Sequence, residues 1–206
     1  MRSPVRILVA IVLLAVTIGS SAAAQRHHGS RLREIHSNYR DGFWLGLSVG
    51  AGNEAFRFED EPGGYSRDIT APTFSLRLGG TPSQHWLLGA EIFAWLDGDL
   101  SDYHDEYRNV LSSAMMIAHF YPIRRGGLYL KGGVGVAGNY LRTVAPGGFI
   151  VKEDESGLAT VFGAGLDLRV GRSVSITPSL DVHHQFFHRS DVRERIISLG
   201  VGITFH

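Results

Sequence analysis

Phe43-Trp44-Leu45-Gly46-Leu47-Ser48-Val49-Gly50-Ala51-Gly52 alternates large apolar side chains with glycine, serine and one tryptophan. A period of two places Phe43, Leu45, Leu47, Val49 and Ala51 on one face of a strand and Trp44, Gly46, Ser48, Gly50 and Gly52 on the other. Working outward, the split recurs with Phe74, Leu76 and Leu78 against Ser75, Arg77 and Gly79, then with Leu88, Ala90 and Ile92 against Gly89, Glu91 and Phe93. It returns with Leu128, Leu130 and Val134 against Tyr129, Lys131 and Gly133, and with Phe162, Ala164 and Leu166 against Gly163, Gly165 and Asp167. Ile176, Leu180 and Val182 oppose Thr177, Ser179, Asp181 and His183; Ile197, Leu199, Val201, Ile203 and Phe205 oppose Ser198, Gly200, Gly202 and Thr204. An eighth strand is predicted over 107–121, where Met115-Met116-Ile117 blurs the alternation and leaves the faces unassigned.

The connections between these strands, near 53–72, 81–85, 97–106, 122–126, 139–157, 170–173 and 187–195, run long, short, long, short, long, short, long. The short ones carry ordinary turn chemistry, as in Gly80-Thr81-Pro82-Ser83 and Gly171-Arg172-Ser173. Ahead of the strands, Arg2 and Arg6 precede an apolar run from Ile7 to Ile18 and then Ala22-Ala23-Ala24, the layout of a cleaved export signal. Residues 1–24 are therefore expected to be a signal peptide, 25–42 a periplasmic segment and 43–206 the barrel domain.

Composition narrows the classes further. Twenty Lys+Arg against twenty Asp+Glu give no basic excess for nucleic acid, and zero cysteines remove disulfides and thiolate chemistry. No cofactor is implied. The chain has twenty-six glycines and its polar column is heavily glycine, which would leave bare backbone on a soluble barrel but fits the narrow lumen of eight strands. Closure without an edge is what lipid demands, and alternating short turns and long connections is the pattern of outer-membrane barrels. The fold expected is all-β, an eight-stranded antiparallel up-and-down transmembrane β-barrel in the cell outer membrane. Phe43, Trp86, Phe120, Tyr121, Tyr140, Phe186 and Phe205 are its expected interfacial aromatics. The competing architecture is a soluble, lipocalin-like ligand-binding barrel, whose Gly-x-Trp opening Gly42-Phe43-Trp44 matches.

Ser198-Leu199-Gly200-Val201-Gly202-Ile203-Thr204-Phe205 resembles the terminal signal by which the outer-membrane assembly machinery recognises its clients, with Ser198, Gly200, Ile203 and Phe205 as the matching positions. His206 departs from it, since such chains usually end on the aromatic. With the export signal and the strand pattern, residues 43–205 resemble the small eight-stranded outer-membrane barrels, meaning the outer membrane protein A transmembrane domain and its short-loop relatives. The resemblance implies a structural or surface-interaction role, with outer-membrane lipids, lipopolysaccharide and the assembly machinery as partners.

Three groups of residues are candidates for chemistry. Arg77, Glu91, Lys131, Asp167, Arg169 and Asp181 all fall in the glycine-rich column and are expected to plug the lumen as a balanced charge network, with Lys131 and Asp167 the first pair. His188-Arg189-Ser190 with Glu194 resembles the His-x-Ser of the lipid A deacylases, but Asp191 replaces their asparagine and Glu194 falls in the connection rather than on the next strand. A barrel enzyme acting on envelope lipids is thus the alternative function. Last, the long connections hold fifteen acidic residues against seven basic ones, a balance of −8, which suits divalent cations bridging to lipid phosphates or a cationic extracellular partner. Adjacent His183 and His184 must point to opposite faces, which argues against a local metal pair.

Overall fold

The computed structural model describes residues 40–58, 66–97, 107–145, 149–187 and 192–206. Among them the strands are β1 (Gly42–Phe58), β2 (Ser66–Ser83), β3 (Trp86–Asp97), β4 (Tyr107–Phe120), β5 (Leu128–Ala145), β6 (Phe149–Leu166), β7 (Leu168–Arg169), β8 (Val174–Phe187) and β9 (Val192–Phe205). β7 carries β6 past Asp167 onto the same partner, β8, so the nine segments form eight staves. Each stave is antiparallel to both neighbours, and β1 closes on β9 from Leu45↔Phe205 to Phe58↔Val192. Across the paired span the ring of staves closes without an edge, which is what lipid demands of a spanning sheet. The fold is a closed, eight-stranded antiparallel up-and-down barrel.

The period-two reading holds through the barrel. Leu47, Val49, Val134, Leu158, Phe162, Leu199 and Val201 point outward and are half or more exposed, while the opposite column is buried inside. A soluble barrel would bury that apolar column; here it forms the outer belt. Its nine-residue reach, Phe43 to Ala51 on β1 and Ile197 to Phe205 on β9, matches the roughly 9–11 residues of a spanning strand. On β4 the structure supplies what the sequence left open: Leu111, Ser113, Met115, Ile117 and His119 face inward and Met116 faces out. Tyr121 is also buried, which corrects its assignment to the aromatic girdle. Phe43, Trp86, Phe120 and Phe205 do ring the short-turn end, Trp86 and Phe120 with centroids 4.9 Å apart.

The long connections are shorter than the sequence suggested. β5 and β6 stay paired up to Ala145↔Phe149, and β1 and β2 up to Phe56↔Ser66. Eighteen residues at about 3.3 Å each, tilted by about 40°, rise about 45 Å against an apolar band of about 25 Å. The β5–β6 hairpin therefore continues well beyond the belt. Glu54 and Glu194, counted from the sequence among loop acids, lie on β1 and β9 with buried side chains.

Candidate functional site

The barrel interior is the core, and it is filled in two layers. Toward the long connections it is apolar: Trp95, Leu111 and Ile196 are fully buried, and Phe93, Met115 and Phe187 nearly so. The Trp95 indole N–H donates to the Gly52 carbonyl at 2.8 Å, which satisfies the one polar atom of that ring. Phe93 stacks on His183 at 3.7 Å between centroids. His184 points to the other face, as strand alternation requires.

Below this layer lies the charged one. Lys131 Nζ donates to Glu91 Oε2 at 2.8 Å and stands 3.0 Å from Asp181 Oδ2. Arg77 Nε lies 4.0 Å from Glu91 Oε2, and its Nη1 donates to the Tyr129 hydroxyl at 3.3 Å. Register explains the triad. Lys131 pairs with Gly163 on β6, and Gly163 pairs with Asp181 on β8, so the two charges flank a residue with no side chain and meet across it. A Cβ at Gly163 would sit 2.0 Å from Asp181 Oδ1. Arg77 and Glu91 are directly paired across β2 and β3.

Two sequence expectations need correction. Lys131 and Asp167 do not pair. Lys131 is level with Gly163, and Asp167 lies four residues further toward the short turns, about 13 Å along the stave. Arg169 is half-buried at the rim, where Nη1 donates to the Arg172 carbonyl at 3.3 Å, on the Asp167 side of the barrel rather than at the level of Lys131.

Asp167 instead organises the short-turn mouth. Its Oδ2 accepts from the Tyr121 hydroxyl at 2.7 Å and its Oδ1 from Thr177 Oγ1 at 2.9 Å. Arg40 Nη2 lies 3.8 Å and His206 Nε2 3.5 Å from Oδ2. Arg40, which sequence reasoning missed, is a buried cation beside Arg77 and Lys131, and it is the one whose guanidinium lies at the Asp167 mouth. Nothing in the polar 25–42 segment, with its several arginines, singles out position 40. Between mouth and triad, Trp44, His119, Tyr129 and Tyr121 form a continuous aromatic ladder, His119 and Tyr129 lying 6° from parallel at 4.5 Å. Gly165 opposite Tyr129 makes room for it.

The terminal-signal residues alternate as an amphipathic strand should. Ser198 faces inward and Ile203 and Phe205 outward. His206 turns into the mouth, its backbone N–H donating to the Ser173 carbonyl at 2.9 Å. For the deacylase-like set, 188–191 lie outside the described residues. Glu194 is on β9 rather than in the connection, and its Oε1 accepts from Asn139 Nδ2 at 3.3 Å.

A closed eight-stave barrel with an apolar outer belt and a filled interior is the architecture of small outer-membrane barrels. Solved structures of that class match the chain. The attachment invasion locus protein Ail of Yersinia pestis, in complex with the heparin analogue sucrose octasulfate, aligns over 79% of this chain and 99% of its own at TM-score 0.57 and 14% identity. Neisserial surface protein A aligns over 79% and 96% at TM-score 0.50 and 12% identity. At such identities the likeness concerns the fold. No family model and no curated protein sequence matches the chain.

Proposed function

We propose that this chain, exported by a leader at 1–24, is an outer-membrane barrel that serves as a structural or surface-interaction protein and neither conducts nor catalyses. The observation that carries this reading is the doubly filled interior: an apolar layer of Trp95, Leu111 and Ile196 lies over a charged layer of Lys131, Glu91, Asp181 and Arg77. A barrel that passes nothing acts through its outer surface. The β5–β6 hairpin beyond the belt offers a paired, strand-built surface there, with Asp154 exposed on it. The net acidic outer connections are the reverse of what a polyanion such as the Ail ligand needs. The partner proposed is a cationic protein surface, or divalent cations bridging to lipopolysaccharide phosphates.

The test is conductance. The purified protein in a planar bilayer is expected to show no steady single-channel current, and a large, persistent open state would overturn the reading. Assembly tests the terminal signal separately. Phe205→Ala removes the outward aromatic at the β9 end, so it is expected to lower outer-membrane levels more than His206→Ala, which loses only a mouth contact. Equal levels for both variants would remove the signal from the argument.

A further inference from the structure

We propose that the mouth at the short-turn end is a guanidinium-binding site, filled in cis by Arg40, which seals the lumen from that side. Arg40 precedes β1 and belongs to no strand, yet its side chain is fully enclosed. Separate parts of the barrel receive it. Nη2 donates to the Gly126 carbonyl at 2.6 Å and Nη1 to the Arg124 carbonyl at 3.4 Å, both in the β4–β5 turn. Its Cζ lies 3.4 Å over the centre of the Tyr121 ring, and the Asp167 carboxylate completes the site at 3.8 Å. Carbonyls at the edge, an aromatic ring on the face and a carboxylate nearby are the complement of a planar cation with forked donors. An ammonium has neither the plane nor the fork.

The backbone is held as well as the side chain. The Arg40 amide donates to Gln84 Oε1 at 3.2 Å, and Gln84 Nε2 donates back to the Arg40 carbonyl, so one side-chain amide replaces a strand neighbour. Gly42, at φ 75°, then turns the chain from the mouth into β1, in a conformation that glycine adopts at little steric cost. His206, which follows β9, also lies against Asp167, so a single carboxylate holds both residues that flank the β1–β9 seam.

The chain contains no cysteine, which permits a clean accessibility test. Ser175 is fully buried, faces inward on β8 near the mouth and pairs with Thr204, so Ser175→Cys is the reporter for a small neutral methanethiosulfonate reagent. With Arg40 present, labelling of the folded protein in detergent is expected to be slow. Arg40→Ala in the same background should speed it about tenfold or more, the factor that one lost charge-assisted hydrogen bond corresponds to. Arg40→Lys should also speed it. Methylguanidinium at millimolar concentration should slow labelling of the Arg40→Ala form again, and methylammonium should not. Equal rates with and without Arg40, or equal rescue by the two cations, would overturn the proposal. Should Arg40→Ala fail to fold, as judged by loss of the heat-modifiable electrophoretic mobility, Gln84→Ala releases the backbone of Arg40 without touching the guanidinium pocket. Faster labelling in that variant supports the site, and an unchanged rate overturns it.

Discussion

Lys131→Met is expected to lower the unfolding free energy of the refolded barrel by about 3–5 kcal/mol, the range for breaking a buried ion pair by removing one partner. Lys131 is buried between Glu91 and Asp181, at 2.8 and 3.0 Å, so its loss strands two carboxylates rather than one. The nearest remaining cation to Glu91 is Arg77, at 4.0 Å and already engaged with Tyr129. Urea unfolding followed by tryptophan fluorescence is the measurement; guanidinium chloride is avoided because it would compete at the mouth. A double-mutant cycle with Glu91→Gln isolates the pair, and the double variant should recover part of what Lys131→Met alone loses. Arg169→Met, at the half-exposed rim, should cost under about 1 kcal/mol. A Lys131→Met midpoint equal to that of the unmodified protein would refute the triad as a structural element.

The placement of Lys131 shows how far a period of two can be read. Alternation states which residues face inward, and Arg77, Glu91, Lys131, Asp167 and Asp181 are all buried inside as it predicts. It carries no information on height along the barrel. Strand tilt and stagger set that, which is why Lys131 meets Asp181 across Gly163 rather than Asp167. The faces of β4 are hidden in the sequence for a different reason. Its inward residues, Leu111, Met115 and Ile117, belong to the apolar part of the filling, so both of its faces read alike. The outer extents of the strands are not legible in the pattern, since polar and charged residues such as Lys152 to Glu155 look like loop while backbone pairing with β5 keeps them in a strand. Arg40 was beyond any pattern, since it joins the site through a single turn at Gly42 rather than through a periodic element.

Glycines in the inward column make room for lumen side chains at Gly163 and Gly165. Gly79 does something else. It faces Gly89 directly across β2 and β3, and a Cβ there would lie 2.0 Å from the Leu88 carbonyl oxygen and 2.6 Å from Gly89 Cα. The obstacle is backbone, which cannot rotate aside. The same close approach recurs at Gly50 against Gly200, at Gly135 against Met115 and at Gly157 against Phe186. These contacts are spread around the barrel, where glycine lets the sheet curve tightly enough to close on eight strands. Gly79→Ala is therefore expected to cost about 3 kcal/mol or more, at or above the usual overpacking range, or to prevent closure altogether. Gly80, the next residue, has nothing within 4 Å of its Cβ position. Gly80→Ala should be neutral or stabilise by up to about 1 kcal/mol, because alanine loses less backbone freedom on folding. Urea midpoints and heat-modifiable mobility of the two variants, one residue apart in sequence, decide the matter. Similar losses for both would mean that glycine matters here for strand propensity alone; a loss confined to Gly79→Ala is the signature of backbone contact across the bend.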